Sequence, residues 1–250
     1  MIDVMVVGAA GKMGSLTCAT VAAQDDLRLV AAVDPALGDG EAAAGRFGDV
    51  AAALAVVHPQ VAVDFTAPAA VFATVSAALQ AGVHAVVGTT GLADGQVDEL
   101  SALAAGHGAN LMVVPNFSLG AVLMMRFAAA AAHHLPRAEI VELHEEAKAD
   151  APSGTALRTA RLMTEAGATD RCGDETRPSR GQDAGGVRIH SIRLPGVVAH
   201  QEVVFGGTGE TLTIRHDSLS RESFMPGVLL AVRRIQASAG TMVSLENLLD

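Results

Sequence analysis

The chain has 250 residues, 50% hydrophobic and 18% charged, so it can bury a sizeable core and is not intrinsically disordered. A formal net charge of -10, with no Trp and no Tyr, argues against a nucleic-acid or anionic-membrane binder; such surfaces need clustered Lys and Arg, and single strands need stacking rings. The two cysteines, Cys18 and Cys172, lie far apart, which excludes a disulfide scaffold and a cysteine-rich metal site and fits a reducing compartment.

The first residues, MIDVMVVGAAGKMG, form a short apolar run into a glycine turn, without the basic and long apolar regions of a signal peptide. The longest apolar stretch, 119–132, is broken by Arg126 and is too short to cross a bilayer. A soluble cytoplasmic protein is expected. Residues 3–7, 27–33, 61–65, 84–87 and 110–114 are brief, Val-rich apolar runs, the pattern of strands buried on both faces of a parallel sheet. Ala-rich segments between them, such as 12–23 and 69–81, have helical spacing. The alternation predicts a parallel-sheet α/β domain with helices on both faces of the sheet.

Beyond Asn116 the texture changes. Residues 119–134 read as a helix with Met124, Phe127 and Ala128 on one side, 139–143 as a strand, and 153–165 as a helix N-capped by Ser153. The polar stretch 168–186 reads as a flexible loop. Strands are expected at 187–194, 197–205 and 210–216, the last two joined by Gly206-Gly207-Thr208-Gly209 as an antiparallel hairpin. Leu212 and Ile214 alternate with Thr211, Thr213 and Arg215, so this sheet is expected to have two unlike faces. Residues 226–236 form an amphipathic helix with Val228, Val232 and Ile235 on its stripe; it can return to either half of the chain. The second domain is therefore α+β, with a mostly antiparallel sheet.

Two segments carry chemistry. Gly8-Ala9-Ala10-Gly11-Lys12-Met13-Gly14 joins the first strand to the first helix. Its glycines permit a tight turn and the close approach of a pyrophosphate, and the helix N-terminus offers amides and a positive dipole end. The spacing is GxxGxxG, a variant of the usual fingerprint. Asp34, 20 residues after Gly14 at the end of the second strand, suits a ribose hydroxyl. Asp34 repels a 2′-phosphate and favours NADH, while Lys12 leaves NADPH open. The second segment is His144-Glu145-Glu146-Ala147-Lys148-Ala149-Asp150-Ala151-Pro152-Ser153-Gly154-Thr155. His144 and Lys148 pair a proton carrier with a cation, and the turn at Ser153, Gly154 and Thr155 offers a site for a carboxylate. On spacing alone, an ordinary N-cap beside solvated loop residues explains this segment equally well.

With Asp64-Phe65-Thr66, Gly88-Thr89-Thr90-Gly91, Pro115-Asn116-Phe117-Ser118, the KADAPSGTA run, His200-Gln201-Glu202 and Arg215-His216-Asp217-Ser218, the chain resembles the dihydrodipicolinate reductase family over nearly its whole length. That resemblance implies a Rossmann-like dinucleotide-binding domain from 1–115 and 221–250, and a substrate-binding and oligomerisation domain from 116–220. It implies a homotetramer formed through the second sheet, and closure of the two domains over cofactor and substrate. It assigns Gly8, Ala9, Ala10, Gly11, Lys12, Met13, Asp34, Phe65, Thr66, Gly88, Thr89, Thr90, Pro115, Asn116, Phe117 and Ser118 to the nicotinamide dinucleotide, NADH or NADPH. His144 matches the proton donor and acceptor, Lys148 the proton-donating lysine, and Gly154 with Thr155 the substrate carboxylate clamp.

One position departs from the family pattern: Glu145 stands where a second histidine is usual. Two like charges about 4 Å apart repel by roughly 4 kcal/mol at an effective dielectric of about 20. Either Glu145 points outward or is protonated and the substrate is the usual dicarboxylate, or the substrate is a different, cationic imino acid. A dinucleotide-binding regulator without turnover is a third reading, against which His144 and Lys148 both argue. His133 and His134 end a helix rather than form a metal site, and His190, His200 and His216 are expected in core or subunit-interface roles. Arg233 and Arg234 read as a solvated face, and Met124 and Met125 as core or interface filling.

Overall fold

The structure is a computed structural model and describes residues 1–37, 45–169, 178–238 and 240–249. It divides into two compact units, Met1–Phe117 with Phe224–Asp250, and Ser118–Ser223.

The first unit contains β1 (Ile2–Val7), α1 (Lys12–Ala22), β2 (Leu27–Val33), β3 (Gly45–Phe47), α2 (Val50–Leu54), β4 (Val61–Asp64), α3 (Val71–Gln80), β5 (His84–Val87), α4 (Asp94–Gly106) and β6 (Leu111–Val113). The second unit contains α5 (Leu119–Ala132), β7 (Arg137–His144), α6 (Gly154–Glu165), β8 (Gln182–Asp183), β9 (Arg188–Arg193), β10 (Ala199–Gly207) and β11 (Glu210–Ser218). The chain then returns to the first unit as α7 (Met225–Arg234) and β12 (Thr241–Val243).

Seven strands form a wholly parallel sheet in the order β12-β6-β5-β4-β1-β2-β3. The order reverses direction beside β1, with β2 on one side and β4 on the other. In open α/β sheets ligands bind at such a switch point, outside the carboxyl ends of the strands. β-Branched Val4, Val6, Val61, Val63 and Val86 are all fully buried, as both-face coverage requires. One apolar cluster joins Met5, Val7 and Val33 to Val50 and Ala53 of α2; another joins Val87 and Leu111 to Val75 and Leu79 of α3 and Leu100 of α4. On α1 the buried Thr17 hydroxyl lies 3.9 Å from the Met225 sulfur of α7. Elements β3, α2, α4 and β12 were not foreseen in the sequence; three of them are five residues or shorter, and β12 exists only through its pairing with β6.

The second unit is a five-stranded sheet in the order β11-β10-β7-β9-β8. All its pairs are antiparallel except β7 with β9. Ala128 and Ala132 of α5, with Ala156, Ala160 and Met163 of α6, cover the face carrying Ile140, Ile189, Val203 and Phe205. Small alanines let the helices lie close to the sheet. The opposite face carries Val141, Leu143 and Val204, and no helix among the described residues covers it.

Three sequence expectations are corrected. Phe127 is 57% exposed, because the buried stripe of α5 runs through Ala121, Met125, Ala128 and Ala132, and Phe127 stands well round the helix from it. Arg233 is not simply a solvated face: it donates to both carboxylate oxygens of Asp26 at 2.7 and 2.8 Å and to Gln24 at 3.0 Å. The expected loop at 168–186 contains a 3-10 turn, Pro178–Arg180, and strand β8; its residues 170–177 lie outside the described residues. Ile214 packs against the core as expected, whereas Leu212, near the end of the same strand, is 41% exposed.

Candidate active site

The cofactor candidates fall at the carboxyl ends of successive parallel strands: the glycine turn after β1, Asp34 after β2, Phe65 and Thr66 after β4, Gly88 to Thr90 after β5, and Pro115 after β6. Gly8, Gly11, Asp34, Phe65 and Thr66 line one cavity of about 600 Å³, with Val50, Ala70 and Thr74. Gly8 has φ +82°, and a side chain there would collide with the Phe65 carbonyl. A side chain at Gly14 would strike the Gly8 carbonyl, so α1 can approach the turn only as glycine. Gly11 is the N-cap of α1 and offers no side-chain cap, so the opening amides of that helix are left for an anion. These features fit the pyrophosphate of a dinucleotide.

Asp34 is tied into the same turn. Its two carboxylate oxygens accept from the amides of Ala10, at 3.1 Å, and Ala36, at 2.9 Å. Each oxygen keeps a further lone pair for a ribose hydroxyl. The described residues lining the cavity include no Lys or Arg. Phe65 packs on Phe117 with ring centroids 5.5 Å apart, and Gly88 lies under both rings, where a side chain would strike them. Ser118 caps α5 by accepting from the Ala121 amide at 3.3 Å, and its hydroxyl lies 3.1 Å from His216 Nε2. Burial lowers the pKa of His216.

A residue that the sequence reading placed in a motif without giving it a role organises this edge. Asp64 is 2% exposed, and hydroxyls and an amide surround its carboxylate. Oδ1 accepts from the Thr66 hydroxyl and the Thr89 hydroxyl, both at 2.7 Å, and from the Thr66 amide at 3.1 Å; Oδ2 accepts from Thr74 at 2.5 Å. One carboxylate thereby fixes the loops after β4 and β5 and the start of α3. An apolar run ending in Asp, with Thr two residues on, is the signal that could have marked it.

In the second unit His144 is the last residue of β7, and the segment to Thr155 runs from that strand end to the start of α6. His144 Nδ1 is hydrogen-bonded to Glu142, two residues earlier on the same face of the strand. The Glu142 side chain is fully buried. From β9, Arg193 grips both its oxygens, at 2.9 and 3.0 Å. Burial pushes the Glu142 carboxyl up, but hydrogen bonds from His144, Arg193 and Ser191 overcome that penalty and hold it at about 2. At neutral pH Glu142 is a carboxylate and accepts only, so His144 Nδ1 is the donor in this hydrogen bond.

Arg193 also donates to the Asp150 carbonyl at 2.7 Å, and the Asp150 carboxylate accepts from Lys148 Nζ at 2.6 Å. That ammonium beside it holds the Asp150 carboxyl below its ordinary range. Glu145 is exposed and turned to Arg221, at 3.3 Å, so its charge is balanced within the unit. Ser153 caps α6, accepting from the Ala156 amide at 3.2 Å, with Gly154 exposed at the first helical position. Neither Glu142 nor Arg193 was singled out in the sequence. A period of two along the strand could have found Glu142; Arg193 is brought in by strand pairing alone.

His190 and His200 lie in the pairings of the second sheet: His190 Nε2 is 2.7 Å from Glu139, and His200 Nδ1 is 2.6 Å from Asp217. Among the described residues no helix is long and apolar enough to cross a membrane, and no cluster of His, Cys, Asp and Glu could hold a metal ion.

Comparison with known proteins agrees over the full length. Residues 2–117 match the family model described as dihydrodipicolinate reductase, N-terminus, and residues 120–249 the model described as dihydrodipicolinate reductase, C-terminus. The 4-hydroxy-tetrahydrodipicolinate reductase of Nocardia farcinica is 48% identical over 100% of this chain and 99% of its own. That of Mycolicibacterium vanbaalenii is 47% identical over 98% of each. A dipicolinate-bound dihydrodipicolinate reductase from Paenisporosarcina sp. TG-14 superposes with a TM-score of 0.88, at 37% identity over 99% of both chains. An amine dehydrogenase from Mycobacterium smegmatis, at 16% identity and a TM-score of 0.67 over 98% of this chain and 95% of its own, shares the fold alone. The chain therefore belongs to the dihydrodipicolinate reductase family of pyridine-nucleotide-dependent oxidoreductases.

Proposed function

We propose that this chain reduces 4-hydroxy-tetrahydrodipicolinate in the diaminopimelate and lysine pathway. The carrying observation is the second-unit segment in which His144, held by Glu142, and Lys148, held by Asp150, precede the capped start of α6. When bound, the nicotinamide supplies the hydride. The chain's residues bind the dianion and move the proton. Gly154 and Thr155, at the opening turn of α6, hold a substrate carboxylate with Ser153 setting the turn. His144 handles the proton at Nε2, and Lys148 provides the neighbouring positive charge and a second donor.

The relative from Paenisporosarcina carries dipicolinate, a dicarboxylate, and this chain's Glu145 is balanced by Arg221 rather than left to repel such a ligand. That pairing favours the dicarboxylate over a cationic imino acid. In the cofactor site, Gly8 to Met13 hold the pyrophosphate; Phe65, Thr66, Gly88 to Thr90 and Pro115 to Ser118 serve the nicotinamide end. Asp34, in a cavity whose described lining residues include no Lys or Arg, favours NADH over NADPH. We assign a homotetramer formed through the second sheet, whose mass light scattering measures, and the cytoplasm as the compartment.

Oxidation of NADH and of NADPH by the wild-type chain and by His144→Ala, with enzymatically generated substrate, tests the reading. Turnover with NADH ahead of NADPH is expected. His144→Ala lowers kcat by roughly 10²–10⁴-fold with NADH affinity unchanged. Undiminished kcat in the variant removes His144 from the chemistry; turnover of a basic imino acid alone removes the substrate assignment.

A further inference from the structure

His144 and Lys148 are linked through the protein by a continuous set of contacts. His144 Nδ1 bonds to Glu142; Glu142 accepts from both terminal nitrogens of Arg193; Arg193 donates to the Asp150 carbonyl; and the Asp150 carboxylate accepts from Lys148 Nζ. Arg193 is further fixed by donating to its neighbour's carbonyl, that of Ile192, at 2.8 Å. The centre of the set is buried: Glu142 is fully enclosed and the Arg193 side chain is 18% exposed. A buried ion pair pays a desolvation penalty for each charge, and apolar residues of similar shape often serve stability as well or better. Core stability alone therefore does not explain why this pair sits here.

We infer that Glu142 and Arg193 are positioning residues for the reduction, the carboxylate fixing the His144 tautomer and ring orientation, and the guanidinium fixing both that carboxylate and the turn that carries Lys148. This rests on the proposed role of His144. A carboxylate that accepts from Nδ1 leaves Nε2 as the nitrogen that gains and loses the proton, and it stabilises the imidazolium when the proton is held. The bidentate grip keeps the carboxylate from rotating away, since the planar fork of Arg matches both oxygens at once. The residual Arg193 donor to the Asp150 carbonyl sets the backbone from which Asp150 orients Lys148. Each acts through a neighbour, Glu142 through His144 and Arg193 through Glu142 and Asp150.

The test is a double-mutant cycle on the full-length enzyme. Glu142→Gln keeps the shape and an acceptor but loses the charge. Its kcat should fall about 10–100-fold while the KM for NADH changes by less than about two-fold. In the His144→Ala background the same change should have almost no further effect on kcat, because the group through which it acts is gone. Nitrogen-15 spectra of labelled histidine should show His144 with a proton on Nδ1 in the wild type and a mixture of tautomers in Glu142→Gln. Arg193→Lys, which cannot grip two oxygens and a carbonyl together, should lower kcat with NADH affinity unchanged. If Glu142→Gln fails to fold with Arg193 left unpaired, Glu142→Gln with Arg193→Met removes both charges together and should show the same loss of kcat.

Independent, multiplicative losses in the cycle would assign Glu142 a merely structural role and overturn the inference. So would wild-type turnover and an unchanged tautomer in the folded Glu142 variants while His144→Ala is impaired. If His144→Ala itself turns over normally, the proposed function fails first, and the two failures are thereby told apart.

Discussion

At the carboxyl edge of the seven-stranded sheet the chain builds with space. Gly8 turns at positive φ against the Phe65 carbonyl, Gly14 lets α1 touch the turn, Gly88 sits beneath two rings, and the buried carboxylate of Asp64 is held by hydroxyls and an amide. In the five-stranded sheet it builds with charge. His144, Glu142, Arg193, Asp150 and Lys148 form a linked set drawn from β7, β9 and the turn between β7 and α6. The difference teaches where each region is fragile. The first is sensitive to added volume and indifferent to modest changes of pH. The second should tolerate added volume at Gly154, the glycine beside the charged set, and respond to protonation.

The largest effect expected comes from adding one methyl group. Gly8→Ala forces a Cβ into the Phe65 backbone at a φ that L-residues avoid. Backbone cannot move aside as a flexible side chain can, so a loss of about 3 kcal/mol or more is expected, together with loss of NADH binding. Gly154→Ala, at the first position of α6, meets nothing within 4 Å and should change stability by less than about 0.5 kcal/mol. Urea unfolding of both variants, with fluorescence titration of NADH, makes the comparison. Equal costs at the two glycines would break the contrast between a region built on space and one built on charge.

That contrast also explains what could be read from the sequence. Space leaves local marks: a glycine at a strand end, an acid at the end of the next strand, a Val-rich run buried on both faces. The strands at 27–33 and 84–87 and the Ser153 cap were legible for this reason. Charge networks leave few local marks. Glu142 and Arg193 are 51 residues apart and meet only because β7 pairs in parallel with β9, which sets Glu142 opposite Ser191 and His144 opposite Arg193. Asp26 and Arg233 are similarly brought together from the two ends of the first unit. Phe127 shows the reverse error. Its hydrophobicity suggested a core position, but alanines closer to the sheet took that place. Short elements such as β3 and β12 have too few residues to carry a period and depend on a neighbouring strand for their existence.

Protonation should expose the charge-built region. The Glu142 carboxyl is held at about 2, below the ordinary value for an unfolded chain. A depressed carboxyl contributes stability that is fully present above its unfolded value of roughly 4.3 and is lost as pH falls through its folded value. Between pH 5 and pH 2, stability should therefore decline by about 1–3 kcal/mol through this group. The double variant Glu142→Gln with Arg193→Met should lack that part of the decline. Denaturant midpoints across the pH range, wild type against double variant, check it. Parallel curves would show that other carboxyls carry the acid sensitivity and that the pair is not its source.

The smallest effect expected is at Glu145, and it sharpens the boundary of the charged set. A glutamate facing a dianion in a partly dry site would oppose binding by about 4 kcal/mol, close to a thousand-fold in affinity. Glu145 instead pairs with Arg221 where both side chains remain more than a third exposed, at 55% and 38%. Exposed pairs of this kind are worth about 0–1 kcal/mol. Glu145→Gln should then change kcat/KM for the dicarboxylate by less than about five-fold in either direction, with the NADH KM unmoved. Low salt should enlarge the effect and high salt erase it, since an exposed charge is screened over about 10 Å at 0.1 M. A rise of a hundred-fold or more would place the Glu145 charge against the substrate after all, and the charge-built region would then extend one residue beyond His144.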